Sequence, residues 1–315
     1  MTATSGTPVN LTLSPVGINT DPDLANATDQ LEQLPEPARK ALYEVIQAAV
    51  DVSTARRDKD ATLAEVIQQV FVRSVAEFFT TQRQSTQMPP ELVHNILPAP
   101  GATALPAPAE TLEIGLGDVL DSRKSSRNFS NRPLSQTELS TLLHYAAGKR
   151  GVEAGYGIKD VPLFRYPSIG GLNSIQVGII VNRVDGLEKG FYVYDPVGHA
   201  LTLKDRGDMR LAIQEVTFES EWLFHAPIVL VLMHDENKVS WKYKTRGYRF
   251  SHVDLGAVMQ NIYLVATGQN LGCCAVAGFF DEGANNFLQL DGVTKFVSLL
   301  MGVGPVGQIT FAEAE

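Results

Sequence analysis

The chain has 315 residues, 44% of them hydrophobic, and a formal net charge of −9, which is enough apolar material for one large domain plus an extension. Its acidity argues against nucleic acid or an anionic membrane as partner, and its longest apolar run, Ala226–Met233, is far short of the ~18–20 residues that cross a bilayer. Met1–Pro15 lacks the pattern of a signal peptide, and Cys273 and Cys274 are sequence neighbours that cannot staple distant segments, so a cytoplasmic, reducing location fits.

Residues 1–30 are rich in Thr, Asn, Asp and Pro and read as a flexible N-terminus. Over 31–96 the period turns helical. Leu42, Val45, Ile46 and Ala49 share one face, as do Leu63, Val66, Ile67, Val70 and Phe71, so a helical extension is expected. It lacks the strand pattern of a winged-helix peptide-binding domain, and a cap on the main domain is the favoured role. A Pro/Ala-rich linker follows at 97–112, and 113–315 forms the main domain.

Within that domain, Ser135 and Glu138 form a capping box for a helix through Leu139, Leu142 and Leu143 that stops at Gly148. Val177–Val181 reads as a buried strand. Phe191–Tyr194 and Ala200–Leu203 flank the turn Asp195–Pro196–Val197–Gly198 as a hairpin. Pro227–Met233 and Phe296–Gly302 are continuous apolar runs, as central strands require. Ser251 and Asp254 are candidate caps for a helix whose face carries Leu255, Val258, Ile262, Val265 and Ala266. Cys273 and Cys274 read as small buried residues beyond it. No internal repeat is present, and a mixed α and β fold with a sheet between helices follows.

Three segments carry chemistry. Arg123, Lys124 and Arg127 place three cations around Ser125 and Ser126, a set that suits a phosphate through guanidinium forks and hydroxyl donors; a solvated basic turn has the same composition. Pro167, Ser168, Gly170, Gly171 and Asn173 form a turn whose glycines let backbone approach a flat ring. Lys242 and Tyr243 are adjacent proton-transferring side chains ahead of an Arg/aromatic cluster. Both titrate near pH 10 when unperturbed, so a base at neutral pH needs help from its surroundings. Lys242 is the favoured base, with Tyr243 as hydrogen-bond partner or relay. His225, His234 and His252 lack ligand spacing, and no metal is expected.

Arg123–Lys124–Ser125–Ser126–Arg127–Asn128–Phe129 resembles the Arg-x-Ser-x-Arg-x-Phe opening of the FMN-dependent nitroreductase superfamily. That resemblance implies that Arg123 and Ser125 hold the FMN phosphate, with Lys124 and Arg127 adding charge. It also implies that Pro167, Ser168 and Gly171 face the isoalloxazine, together with Asn173. Lys242–Tyr243, followed by Arg246, Gly247, Tyr248, Arg249 and Phe250, resembles the signature of the azoline dehydrogenase branch. Gln260–Asn261, Gly268–Gly272 and Gly278–Asp281 resemble its C-terminal progression, with Gln260 and Gly278 as further flavin contacts. Phe280 departs from the usual Asp or Asn, and Met301–Gly304 lacks the phosphate-binding Arg of many classical nitroreductases.

The resemblance implies an α+β fold: a nitroreductase-like α/β/α sandwich with a mainly antiparallel central sheet, forming a homodimer with FMN at the subunit interface. It implies an FMN-dependent oxidoreductase that oxidises thiazoline or oxazoline rings of a peptide, with a cyclodehydratase or carrier protein as a possible partner. The alternatives are an NAD(P)H-dependent nitro- or quinone-reductase type of enzyme and a catalytically inactive flavin-binding docking subunit.

Overall fold

The computed structural model describes residues 68, 87–93, 98–112, 114–218 and 220–307. The expected flexible N-terminus and nearly all of the 31–96 extension lie outside the described residues. The chain divides into two units, Met1–Arg73 and Ser74–Glu315, and every element below belongs to the second. Its strands are β1 (Thr103–Ala104), β2 (Lys149–Gly155), β3 (Ile158–Phe164), β4 (Ile175–Val181), β5 (Gly190–Asp195), β6 (Ala200–Arg206), β7 (Ile228–Asp235), β8 (Leu271–Val276) and β9 (Lys295–Pro305). Its helices are α1 (Leu116–Ser122), α2 (Gln136–Ala147), α3 (Arg210–Val216), α4 (Asn237–Tyr243), α5 (Thr245–Gly268) and α6 (Asp281–Phe287), preceded by a single turn at Pro90–Val93.

Seven strands form one antiparallel sheet in the order β1-β6-β5-β4-β7-β9-β8, and β2 and β3 pair separately as a ribbon. The apolar runs dictate the middle of that order. Every residue of β7 is buried, and its side chains alternate: Ile228, Leu230 and Leu232 enter one core, while Val229, Val231 and Met233 enter the other. The first core lies under α2 and α5, through Leu139, Leu142, Val258 and Ile262. The second lies under α3 and α6, through Ile213, Val216 and Ala284. The result is the expected α/β/α sandwich with an antiparallel centre.

Local signals set several boundaries. The Ser135 hydroxyl accepts from the Glu138 N–H while the Glu138 carboxylate accepts from the Ser135 N–H, the reciprocal bonds of a capping box. Arg132 pairs with the same carboxylate at 2.7 Å; burial pushes Glu138 up, but the hydrogen bonds from Arg132 and Ser135 outweigh it, so Glu138 titrates below its ordinary range. Gly148 ends α2, and the β5–β6 hairpin turns on Asp195, whose carboxylate accepts from the Val197 and Gly198 N–H groups.

The expected caps Ser251 and Asp254 are not caps. The helix starts six residues earlier than Ser251, at Thr245, where Lys244 breaks the chain with φ +49°. Ser251 is buried mid-helix and donates to the Tyr248 carbonyl at 2.9 Å, and Asp254 is committed to a distant loop. Cys273 and Cys274 do follow a helix and are buried, but as part of strand β8. The 98–112 segment runs along the domain: Thr103 and Ala104 pair with β6, Ala99 N–H donates to Asp195 and the Ser140 hydroxyl donates to the Pro106 carbonyl.

Candidate active site

The basic segment is built against the β8 edge. α1 ends at Ser122 with Arg123 as its C-cap, Ser125 bridges Cys273 in parallel, and the Ser126 N–H donates to the Cys273 carbonyl at 2.9 Å. Phe129, fully buried, anchors its far end. Tyr263 of α5 organises what lies between: its ring carries the Arg123 guanidinium at 5.3 Å, its hydroxyl sits 3.1 Å from Ser125 Oγ, and the same hydroxyl accepts from the Ala275 N–H. Arg127 lies over Trp222. Among the described residues no carboxylate pairs with Arg123, Lys124 or Arg127; Lys124, Ser125 and Arg127 are exposed, and Arg123 is half-buried against Tyr263. This donor set, on the surface and free of carboxylates, fits a dianionic phosphate. Burial pushes the Cys273 thiol up to about 12, against the opposing pull of Arg123, and keeps it an inert packing group.

The glycine loop is held from α5. Asp254, 1% exposed, accepts from the Ser168 hydroxyl at 2.5 Å and from the Ile169 N–H at 2.9 Å. Ser168 Oγ in turn accepts from the Asn173 N–H, and Asn173 Nδ2 donates to the Gly171 carbonyl. Ser168 and Asn173 therefore fix the loop from inside, and Ser168 has no proton left for a ligand. Pro167 and Gly170 are exposed, and Gly171 is half-buried beside open space, where an added Cβ would meet nothing within 4 Å. Burial raises the Asp254 carboxyl to about 6 in spite of its two donors.

Lys242 and Tyr243 close α4 immediately before the Lys244 break, and that break aims them at the loop. Gly170 shows how tight the approach is: it adopts φ +69°, and a Cβ there would stand 2.3 Å from the Tyr243 hydroxyl and 3.1 Å from that of Tyr156. The Lys242 ammonium donates to the Tyr156 hydroxyl at 2.6 Å, and Tyr156 donates to the Gly170 carbonyl at 2.5 Å. Lys242 Nζ also lies 4.3 Å from the Tyr156 ring centroid and 5.1 Å from that of Tyr243. Burial raises the Tyr243 phenol above its ordinary range, with the neighbouring Lys242 charge pulling the other way. Burial alone raises Tyr156.

Loop and ribbon together line a cleft of about 520 Å³ with Arg150, Tyr156, Arg165, Pro167, Gly170 and Gly171. A larger cavity of about 710 Å³ shares Gly171 and Asn173 and is walled by Lys238 and Trp241. Both fall in the size range of small-molecule sites. Of the remaining expected residues, Gln260 is exposed on α5, and Gly278 is exposed in the turn before α6, where its carbonyl accepts from the Phe218 N–H. Tyr156 was not singled out from the sequence, and Asp254 was singled out only as a helix cap. Each reaches its partner across 86 residues of chain.

The nitroreductase family model matches residues 120–305 of this chain. A provisionally named nitroreductase of Methanocaldococcus jannaschii is 33% identical over 195 residues, covering 61% of this chain and 91% of the archaeal one. Among solved structures, a nitroreductase-like protein of Ralstonia eutropha is 27% identical with a TM-score of 0.54, covering 67% of this chain and 94% of its own. One from Anabaena variabilis is 26% identical with a TM-score of 0.50 over 61% of this chain; this chain spans only 38% of its length. A chain of the Escherichia coli microcin synthetase McbBCD complex, solved with truncated pro-MccB17 bound, shares the fold at 20% identity and a TM-score of 0.51, covering 80% of this chain and all of its own. With the family model spanning every strand of the sheet but the two-residue β1, both cores and the basic segment, the chain belongs to the nitroreductase family.

Proposed function

We propose that this protein is an FMN-dependent oxidoreductase that converts thiazoline or oxazoline rings of a peptide to thiazoles or oxazoles. The observation that carries the reading is the Lys242 ammonium, seated between two phenols at the rim of the glycine loop. A reductase that takes hydride from a nicotinamide has no need of a protein base there, whereas azoline aromatisation does: one ring hydrogen leaves as hydride and another as a proton.

Arg123, Lys124, Ser125 and Arg127 would hold the FMN phosphate and Pro167 and Gly171 would face its ring, and FMN bound there would supply the two-electron acceptor for the hydride. The chain's own residues handle the proton. Tyr243 stays protonated at neutral pH because burial raises it, so it serves as donor and relay rather than as the base. Lys242, in its neutral form, takes the ring proton and becomes the ammonium that the two phenols then hold. Asp254 keeps the loop in place through Ser168 and Ile169. The substrate is a peptide, and a homodimer is the working assembly; the fold likeness to a chain of a microcin synthetase, itself solved with a truncated pro-microcin bound, suits a peptide substrate presented by partner proteins.

The test is the visible spectrum of the purified protein during anaerobic addition of a thiazoline-containing peptide or of NADPH. Bleaching by the thiazoline alone supports the proposal. Bleaching by NADPH alone moves the protein to the nitro- or quinone-reductases, the reading favoured by the names of its relatives. A protein that takes up no FMN removes the phosphate assignment.

A further inference from the structure

The β2–β3 ribbon stands outside the main sheet and turns on two residues, Tyr156 and Gly157, between the paired Gly155 and Ile158. Both have positive φ, +52° and +76°, the signature of a type I′ hairpin turn. Glycine is at home there. A tyrosine is not, since Asn, Asp or Gly adopt the first position with far less strain. A strained residue at a cleft invites the question of what its side chain does.

The Tyr156 ring stands edge-on to Trp241 at 5.5 Å and lies beneath the Lys242 ammonium. Its hydroxyl proton goes to the Gly170 carbonyl, which leaves the oxygen able only to accept, and what it accepts is a proton of Lys242. The titratable groups around Lys242 among the described residues are Tyr156 on the ribbon, Tyr243 on its own helix and, acting on Tyr243 from α5, Asp254.

We infer that Tyr156 is a positioning residue for the reaction, an acceptor-only phenol that fixes the direction of the Lys242 amine and couples the ribbon tip to the base. This rests on the assignment of Lys242 above. A neutral amine keeps one N–H on the fixed Tyr156 oxygen, so its lone pair is confined to the remaining directions instead of sweeping freely about Cε. After proton capture the same oxygen stabilises the ammonium. The strained turn is the structural cost of placing a long aromatic acceptor where a hairpin asks for a short residue.

Two variants test this on the cofactor-loaded protein. Tyr156→Phe keeps the ring under the ammonium and removes only the oxygen. Tyr156→Asn relieves the turn, since Asn tolerates left-handed backbone, yet is too short to reach Gly170. In protein labelled at lysine 13Cε, with the Lys242 resonance identified by its loss in Lys242→Met, both variants should lower the Lys242 titration midpoint by about half a pH unit or more, because the charged form loses an acceptor. Other lysines should not move. Tyr156→Asn should melt at or above the wild-type temperature, and with a thiazoline peptide both should lose about tenfold in kcat with little change in KM.

A Lys242 midpoint unchanged in both variants overturns the inference. So does a fall confined to a variant that melts early, which assigns the effect to a damaged ribbon. The titration needs no substrate: a wild-type protein that never oxidises an azoline removes the reaction and leaves the lysine measurement to be read alone.

Discussion

The two halves of the candidate site are built on opposite plans. The basic segment at the β8 edge is fixed by backbone, through the Ser125–Cys273 bridge and the Ser126 N–H, while its cations are left on the surface. The corner around Lys242 is fixed by side chains: Asp254 on Ser168, Tyr156 on Gly170, Lys242 on Tyr156, most of them wholly or partly buried. The first plan keeps charge solvated and available to an anion. The second surrounds proton-carrying groups with aromatic and loop atoms, which is how a fold shifts titrations. Binding and proton transfer are thereby assigned to regions that can be perturbed separately.

Lys242→Ala is the sharpest cut across this division. Azoline oxidation should fall by about 100-fold or more, the scale of a lost general base, with FMN affinity unchanged by fluorescence titration. If affinity falls as well, the two regions are not separate. Arg123→Ala should do the reverse: FMN binding weaker by about 10–100-fold, the worth of a charge-assisted contact, with the pH profile of any residual turnover unmoved.

Asp254→Asn probes the buried side. The folded carboxyl titrates at about 6, above its ordinary 3.8, so between those values the native state holds more proton than the unfolded chain. Stability from this group is therefore present below about pH 4 and is lost as pH rises through about 6. In urea denaturation from pH 4 to 7, the stability difference between wild type and the Asn variant should fall by about 1–2 kcal/mol, because Glu236, His144 and His234 also titrate in this window and cancel in that difference. A difference that does not change with pH would contradict the buried plan. Ser135→Ala touches neither region and should cost about 1 kcal/mol in thermal stability while leaving FMN binding and the Lys242 titration alone.

What was legible in the sequence follows the same division. The α2 cap, the β5–β6 turn and the apolar strands rest on neighbouring residues, so Ser135, Asp195 and Ile228–Met233 announce themselves. The basic segment is likewise a local cluster. The β2–β3 ribbon was not foreseen, because Lys149–Gly155 offers no apolar face and its turn carries Tyr156 where hairpins prefer Asn or Asp. Strand β8 hid behind small residues, Gly272 to Ala275. The start of α5 was misplaced because Lys244 takes a left-handed conformation with no glycine to signal it. Ser251 and Asp254 look like caps, and only the tertiary fold gives Asp254 its loop. Roles that depend on contacts 86 residues apart leave no spacing to read.

The margins of the sheet carry one more consequence. A sheet edge is a template on which another chain can grow. Here β6 is closed by the two residues of β1, between proline-rich flanks that have few N–H groups to donate, and β8 by the bridge at Ser125. Each closure is only one or two residues wide. Truncation that removes Thr103 and Ala104 would uncover the β6 edge and turn the domain toward aggregation, so the Pro/Ala stretch protects the folded domain from its own neighbours.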